Sequence, residues 1–431
     1  MEVYEASEYV GGMSRSFDLW GQRVDIGPHR FFSKDKLING FFSEILEDEF
    51  TVVNRLTRIH YNNRFFSYPL KVGNVLRNLK PFTIVSVLWS YFKQKIKPIK
   101  NPLTFEDWVT NKFGKKLFEM FFKSYSEKLW GIPCSEIDAD WAAQRIKTLS
   151  LSSAIISALR NNRGNRHNTL VDQFKCPKNG TGALYEKCSK LIIEKGGKIH
   201  LNKPIKKVLL DDNQNANGLQ LMDGTLVAAD VIISSMPLTN LVKGFDNIPS
   251  KIEQAVSNLY YRNTILVYIE VDGTNLFDDN WIYIHSNKVR HGRITNFRNW
   301  CPSLNKDAKS TILCMEFWTF HTEELWQKTD DEISNIAKDE LRTLQLFSEQ
   351  IAIKNSKVLR VPKSYPVYQT GYKEELELLK TFLDGVNNLV TIGRYGAFKY
   401  NNQDHSILMR IQAAKNITNS NTINLWDINT E

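Results

Sequence analysis

One stretch near the C-terminus constrains this chain more than any other. Asn388-Leu389-Val390-Thr391-Ile392 is a short apolar run of the kind that forms a buried strand, and Gly393 punctuates it. After Asn402 the pattern turns helical, with Ile407, Leu408, Ile411 and Ala414 in phase. A strand that enters a glycine turn and then a helix start leaves backbone N–H groups and the positive end of the helix dipole pointing outward. Such a place suits anions and electron-rich ligands. Arg394 puts a planar, fixed cation into it, and Tyr400, Asn402, Gln403, Asp404 and His405 add donors and acceptors. The same residues also suit an ordinary strand–turn–helix with a satisfied polar loop. Taken alone, they leave both readings open.

The N-terminus carries a second signal. Val3 to Glu5 reads as the tail of a strand, and Glu5 stands where a dinucleotide fold places the acid that bonds a ribose. Gly11-Gly12 allows close backbone approach, and Arg15 follows within reach of a phosphate. The Gly-x-Gly-x-x-Gly loop that would precede such a strand does not occur. Gly180-Thr181-Gly182 approximates it, but Tyr185 takes the third glycine position and no clear strand comes before it. It reads as a turn opening a helix over 182–194. Asp25-Ile26-Gly27-Pro28-His29-Arg30 forms a rigid turn with two side-chain donors.

Between these ends the pattern is mixed. Residues 52–70 read as strands around an Asn62-Asn63 turn, and 72–160 as mainly helical. Within the latter, 81–100 is apolar first and basic last. It could lie on a membrane surface, but the favoured reading is a packed helix with a solvated basic end. Residues 152–170 read as a basic exposed loop. Strands follow over 199–210 and 218–234 with an Asp223-Gly224 hairpin turn, then Ile265–Val271 and Thr311–Trp318, and a helix near 331–347.

The 431 residues suffice for two or three domains with a large core. The net charge of +9 favours phosphates, nucleotides or another anionic partner. The basic residues are spread out and no nucleic-acid motif is present, so nucleic acid is not expected. No apolar run approaches the ~18 residues of a spanning helix, and the acidic, polar opening residues lead to the expectation of no signal peptide. Five cysteines at irregular spacing give no metal motif and fit reduced thiols in a cytoplasm.

Several of these stretches together resemble one family. Gly393 to Ser406 resembles the flavin and substrate loop of UDP-galactopyranose mutases and of the related FAD-dependent oxidoreductases of the amine-oxidase and protoporphyrinogen-oxidase superfamily. Six residues separate Arg394 from Tyr400 and ten separate it from Asp404, as in the mutase motif; Asn402 replaces an aspartate. Glu5 to Arg15 resembles the second half of the superfamily's FAD fingerprint. Gly27 to Phe31 resembles the mutases' flavin-side Gly-x-His-x-Phe segment, with Phe32 in place of their second histidine. Phe121 to Gly131 is similar to the segment whose tyrosine and tryptophan frame the uridine, here Tyr125 and Trp130. Arg145 matches the first of two substrate arginines, while Leu149 stands at the second, which implies either a different substrate or another cation such as Lys147 standing in.

The resemblance implies an α/β chain. A discontinuous Rossmann-like FAD domain would be drawn from 1–50, 172–245 and 380–431, and a mixed α+β substrate region from 51–171 and 246–379. FAD would be held by Glu5, Gly11, Gly12, Arg15, Gly27, His29, Val208, Gly393, Arg394 and Asp404. A nucleotide sugar would be held by Tyr125, Trp130, Arg145, Tyr365, Tyr400 and Asn402. The flavin is then the reactive group, reduced by NAD(P)H, and the net reaction an isomerisation, with His29 and Arg394 supporting it. An oxidoreductase of amine-oxidase type is the competing expectation, and a truncated, non-catalytic chain is a third. The resemblance leaves room for a homodimer. Because the glycine-rich first strand and helix are absent from the sequence, the FAD domain is expected to be N-terminally truncated and to bind FAD poorly.

Overall fold

The computed structural model describes residues 1–70, 72–141, 173–419 and 423–429. Its largest element is a seven-stranded sheet in the order Ile353–Pro366, Tyr261–Asp272, Ser310–Thr319, Arg293–Asn296, Trp281–Ile284, Thr57–Tyr61, Arg64–Ser67. All neighbours run antiparallel except Trp281–Ile284 against Thr57–Tyr61. The two central strands are covered on both faces, so Tyr261–Asp272 and Ser310–Thr319 are almost continuously buried. A strand covered on one side only would alternate. At the sheet's edge the Asn62-Asn63 turn forms as expected, with φ of 49° and 56°. Asparagine tolerates that left-handed geometry.

A second group of short elements lies on one flank. Glu2–Tyr4 pairs in parallel with Lys198–His200, and Ile232–Ser234 pairs in parallel with Leu389–Thr391. An antiparallel meander runs Ile205–Leu210, Ala216–Leu221, Leu226–Ala228, with Gly224 at φ +89° in the expected turn. Helices Lys36–Leu46, Ala183–Glu194 and Gln403–Asn419 pack together through Ile38, Phe42, Leu46, Leu184 and Ile407.

One buried carboxylate ties this flank to the large sheet. Asp25 accepts hydrogen bonds from Ser16 Oγ (2.5 Å), Thr181 N (3.0 Å), Thr181 Oγ1 (2.8 Å) and Trp300 Nε1 (3.1 Å). Its backbone oxygen accepts from Tyr268 Oη on the central strand at 2.8 Å. Gly180-Thr181-Gly182 is thus a turn opening a helix, as its sequence suggests, and its glycines are there for room. A Cβ on Gly182 would sit 2.5 Å from Ser16 N, and one on Gly180 would sit 2.4 Å from Ser16 Oγ.

The third region is helical: Val72–Asn78, Pro81–Ile96, Phe105–Phe113 and a near-continuous rod over Lys115–Trp130. That rod contains a π-helical turn at Glu119–Lys123. Helix Phe105–Phe113 opens on a capping box between Thr104 and Asp107. Here one expectation is corrected. Helix Pro81–Ile96 buries only Val87 and Tyr91, while Phe82, Val85, Trp89, Phe92 and Ile96 are exposed. It is not a packed helix with a solvated end; its broad apolar stripe is turned outward. Arg145, Lys147, Leu149 and the loop read over 152–170 lie outside the described residues.

Gly182→Ala should destabilise the protein by ~1–3 kcal/mol, the range for overpacking a tight site. Thermal denaturation measures it; an unchanged midpoint would mean that the turn relaxes away from Ser16.

Candidate functional site

The flank, the sheet and the helical region enclose one cavity of about 2040 Å³. At one end its wall is Val3 to Glu5, Gly11 to Ser14, Tyr185, Val208 and Arg410. Strand Glu2–Tyr4 delivers Glu5, whose carboxylate accepts from Ser7 N at 2.8 Å and so is held at the strand's end. Gly11 and Gly12 follow at φ +97° and +55°, a bend open to glycine and strained for side chains. A Cβ on Gly11 would also press on Tyr185 at 3.3 Å.

The middle of the cavity is the turn after Leu389–Thr391. Gly393 sits at φ +79° and aims Arg394 inward. Arg394 Nε donates to the Asn401 carbonyl (3.0 Å) and Nη1 to the Ser364 carbonyl (3.2 Å). Its guanidinium lies 5.1 Å from the ring of Tyr365 and 4.7 Å from that of Tyr400. Those two rings stack on each other at 5.4 Å. Asn402 and Asp404 stand at the N-terminus of Gln403–Asn419, which opens into the same space. Opposite lies His29. Its carbonyl accepts from Gln403 Nε2 (2.6 Å) and Thr181 Oγ1 (3.2 Å), so the backbone there is fixed from two sides. His29 Nδ1, Arg30 Nη1 and Asp404 Oδ1 are buried and have no hydrogen-bond partner among the described residues. Unpaired buried polar atoms are costly, and three beside one cavity leave places there for a ligand's donors and acceptors.

At the far end are Tyr125, Tyr283, His285 and Arg293. Tyr125 stacks on His285 at 5.0 Å. Lys128, one turn further along the rod, holds that arrangement by donating to the carbonyls of Ser286 (2.6 Å), His291 (3.3 Å) and Ile284 (3.4 Å). Arg293 reaches the cavity from the sheet, fixed by a two-pronged bond to Glu316, with both contacts at 2.5 Å.

A family model described as flavin containing amine oxidoreductase matches residues 1–401. The chain belongs to that family. It is 26% identical over 145 residues to a probable UDP-galactopyranose mutase of Klebsiella pneumoniae; the match spans 32% of this chain and 37% of that one. Its fold is that of a reduced UDP-galactopyranose mutase, with a TM-score of 0.84 at 21% identity over 99% of this chain and 92% of the other. A putative protoporphyrinogen oxidase from Exiguobacterium sp. 255-15 follows, with a TM-score of 0.73 at 13% identity over 96% of this chain and 92% of its own.

Most residues singled out from the sequence of this flavin-family chain meet at the cavity: Glu5, Gly11, Gly12, His29, Tyr125, Val208, Tyr365, Gly393, Arg394, Tyr400, Asn402 and Asp404. Three do not line it. Trp130 is fully buried in the helical core, edge-on to Trp141 at 5.2 Å and stacked with Tyr368 at 6.0 Å. It packs behind the wall, 6.4 Å from Tyr365 and 5.9 Å from Tyr400. Arg15 lies over the ring of Tyr9 at 5.0 Å, away from the cavity. Gly27, at φ +67°, supports the turn that carries His29. Arg293 and His285 are among the cavity residues that the sequence does not single out, and Arg30 is read there only as a donor of the turn. Arg293 and His285 sit in or beside plain strands with no motif around them. The uninterrupted run His29-Arg30 was the available signal for Arg30.

Burial of the His29 ring, with Arg394 and Arg293 close by, pulls its pKa from 6.5 to about 3. Burial and Lys128 do the same to His285, again to about 3. A histidine with a lowered folded pKa adds stability that is complete above 6.5 and is lost as pH falls toward the folded value. Thermal stability should therefore fall between about pH 6.5 and 3. His29→Gln and His285→Gln should each flatten that decline, and a slope identical to wild type in both would show that the rings are protonated in the folded state.

Proposed function

We propose that this chain is a flavin-dependent enzyme acting on an anionic, nucleotide-sugar-like substrate in the manner of UDP-galactopyranose mutase. The observation that carries this is the convergence on one cavity of a dinucleotide-type end and a cationic, aromatic end. The orphaned polar atoms of His29, Arg30 and Asp404 and the open glycines fit FAD. It would be held by Glu5, Gly11, Gly12, Val208, Gly393 and Asp404, with His29 supporting its ring. When bound, the flavin supplies the reactive group, with NAD(P)H as its reductant.

The chain's own residues bind, orient and neutralise. Arg394 is pre-set by two carbonyls and two rings, so its charge meets a diphosphate with little loss of freedom. Arg293, whose fork is spent on Glu316, adds field more than direct donors. Tyr125, Tyr365, Tyr400 and Asn402 frame the base and sugar. His29, neutral through burial, offers a donor or acceptor without adding charge. On this reading the cofactor domain is discontinuous, drawn from 1–50, 172–245 and 380–431. An oxidoreductase acting on an amine or ring substrate is the second reading, favoured by the family match itself.

Absorbance in the flavin region, followed while UDP-sugars are titrated, tests the proposal. Spectral perturbation by UDP-sugars supports it. Protein that stays colourless with added FAD, or flavin reoxidised by oxygen with an amine and indifferent to UDP-sugars, overturns it. Arg394→Lys should weaken binding and turnover, since the charge stays but the planar fork is lost. Tyr125→Ala should weaken binding by ~1–3 kcal/mol if the ring stacks on a base. Trp130→Ala should instead lower stability by ~3–5 kcal/mol as a core truncation.

A further inference from the structure

Among the described residues, helix Pro81–Ile96 is fastened from one side only. Val87 and Tyr91 are its buried residues. Ser90 Oγ accepts from Lys116 N at 3.0 Å, and Gln94 Nε2 donates to Asn111 Oδ1 at 2.8 Å. The backbones touch there as well: a Cβ on Gly114 would lie 2.8 Å from Tyr91 N. Residues 87, 90, 91 and 94 share one helix face at ~100° per residue. Phe82, Val85, Trp89, Phe92 and Ile96 share the opposite face, exposed by 85%, 65%, 73%, 57% and 85%. Leu103, beyond the helix, is 68% exposed.

The sequence running through this helix carries charge of one sign. From residue 50 to residue 105 the sequence has no Asp or Glu. The same stretch holds Arg55, Arg58, Arg64, Lys71, Arg77, Lys80, Lys93, Lys95, Lys97 and Lys100. Lys93 and Lys95 fall on either edge of the apolar stripe, and Lys97 and Lys100 follow its end. Large exposed apolar patches are uncommon on monomers and mark contact surfaces. Two partners answer this one differently. A second copy would bring lysine against lysine across the stripe. An anionic bilayer accepts the aromatic and aliphatic side chains into its interface and the lysines onto its headgroups. No described helix is long and apolar enough to cross a membrane, so the contact would be peripheral.

We propose that the outward face of helix Pro81–Ile96 docks this protein on an anionic lipid surface. Phe82, Val85, Trp89, Phe92 and Ile96 enter the interface, and the flanking lysines supply the attraction. Tyr68 and Leu70, which line the cavity, lie in the segment leading into this helical region.

Co-sedimentation of the full chain with phosphatidylserine–phosphatidylcholine vesicles tests this, with pure phosphatidylcholine as the reference. Wild-type protein should pellet with the anionic vesicles and be released as salt rises from about 0.1 M to about 1 M, where screening is short-ranged. A Phe82→Ser, Trp89→Ser, Phe92→Ser triple variant and a Lys93→Glu, Lys95→Glu, Lys97→Glu triple variant should each bind at least about tenfold more weakly. Both sets are exposed, so circular dichroism and thermal midpoint should be unchanged, and the charge variant tests the docking independently of any refolding in the apolar one. Failure of the wild-type protein to pellet overturns the proposal, as does undiminished pelleting of the variants. Light scattering that shows a dimer in the wild type and a monomer in Trp89→Ser, without vesicle binding, would assign the face to a second copy and overturn it too.

Discussion

The arrangement depends first on a carboxylate that water never reaches. Asp25 is 1% exposed, and burial pushes its carboxyl up, while donors from Ser16, Thr181 and Trp300 oppose that shift. Its oxygens take bonds from three segments far apart in the chain, and its carbonyl takes a fourth link from Tyr268. A buried charge is tolerated only when its lone pairs are met in this way. The knot fixes where the flank meets the large sheet. It also fixes the start of the turn that runs through Gly27 to His29, one wall of the cavity.

Around the cavity, the polar groups divide into two kinds. Arg293 and Arg394 are already held, one by Glu316 and the other by two carbonyls and two tyrosine rings. His29, Arg30 and Asp404 each keep an atom without a hydrogen-bond partner among the described residues, Asp404 having only the His405 ring at 3.7 Å. The first kind sets a fixed field; the second is ready for a ligand's own donors and acceptors. A site built this way selects by charge and shape before any group moves, which suits chemistry in which the protein positions and a cofactor reacts.

The C-terminal strand, turn and helix were legible because three signals coincide there: a buried run, a glycine at the bend and a helical period. The hairpins at Asn62-Asn63 and Asp223-Gly224 were legible for the same reason, since left-handed turns admit few residues. Orientation was harder to read. Periodicity shows that helix Pro81–Ile96 has an apolar face but not which way that face is turned, and the packed reading follows from assuming the inside. Tyr125 and Trp130 look equivalent in sequence, yet one lines the cavity and the other fills the core. Arg293 carries no local pattern at all; its place is set by sheet register with Glu316, which only the paired strands reveal.

The π-helical turn at Glu119–Lys123 has a consequence of its own. It holds one residue more per turn than the α-helix on either side, so it sets the rotational phase of everything after it in the rod. The widened turn takes up an extra residue within the rod, so the helical segment that follows, with Tyr125, starts from where this turn leaves it. Without such slack, one residue more or less in a regular α-helix would turn everything after it by ~100° and carry that ring out of the cavity.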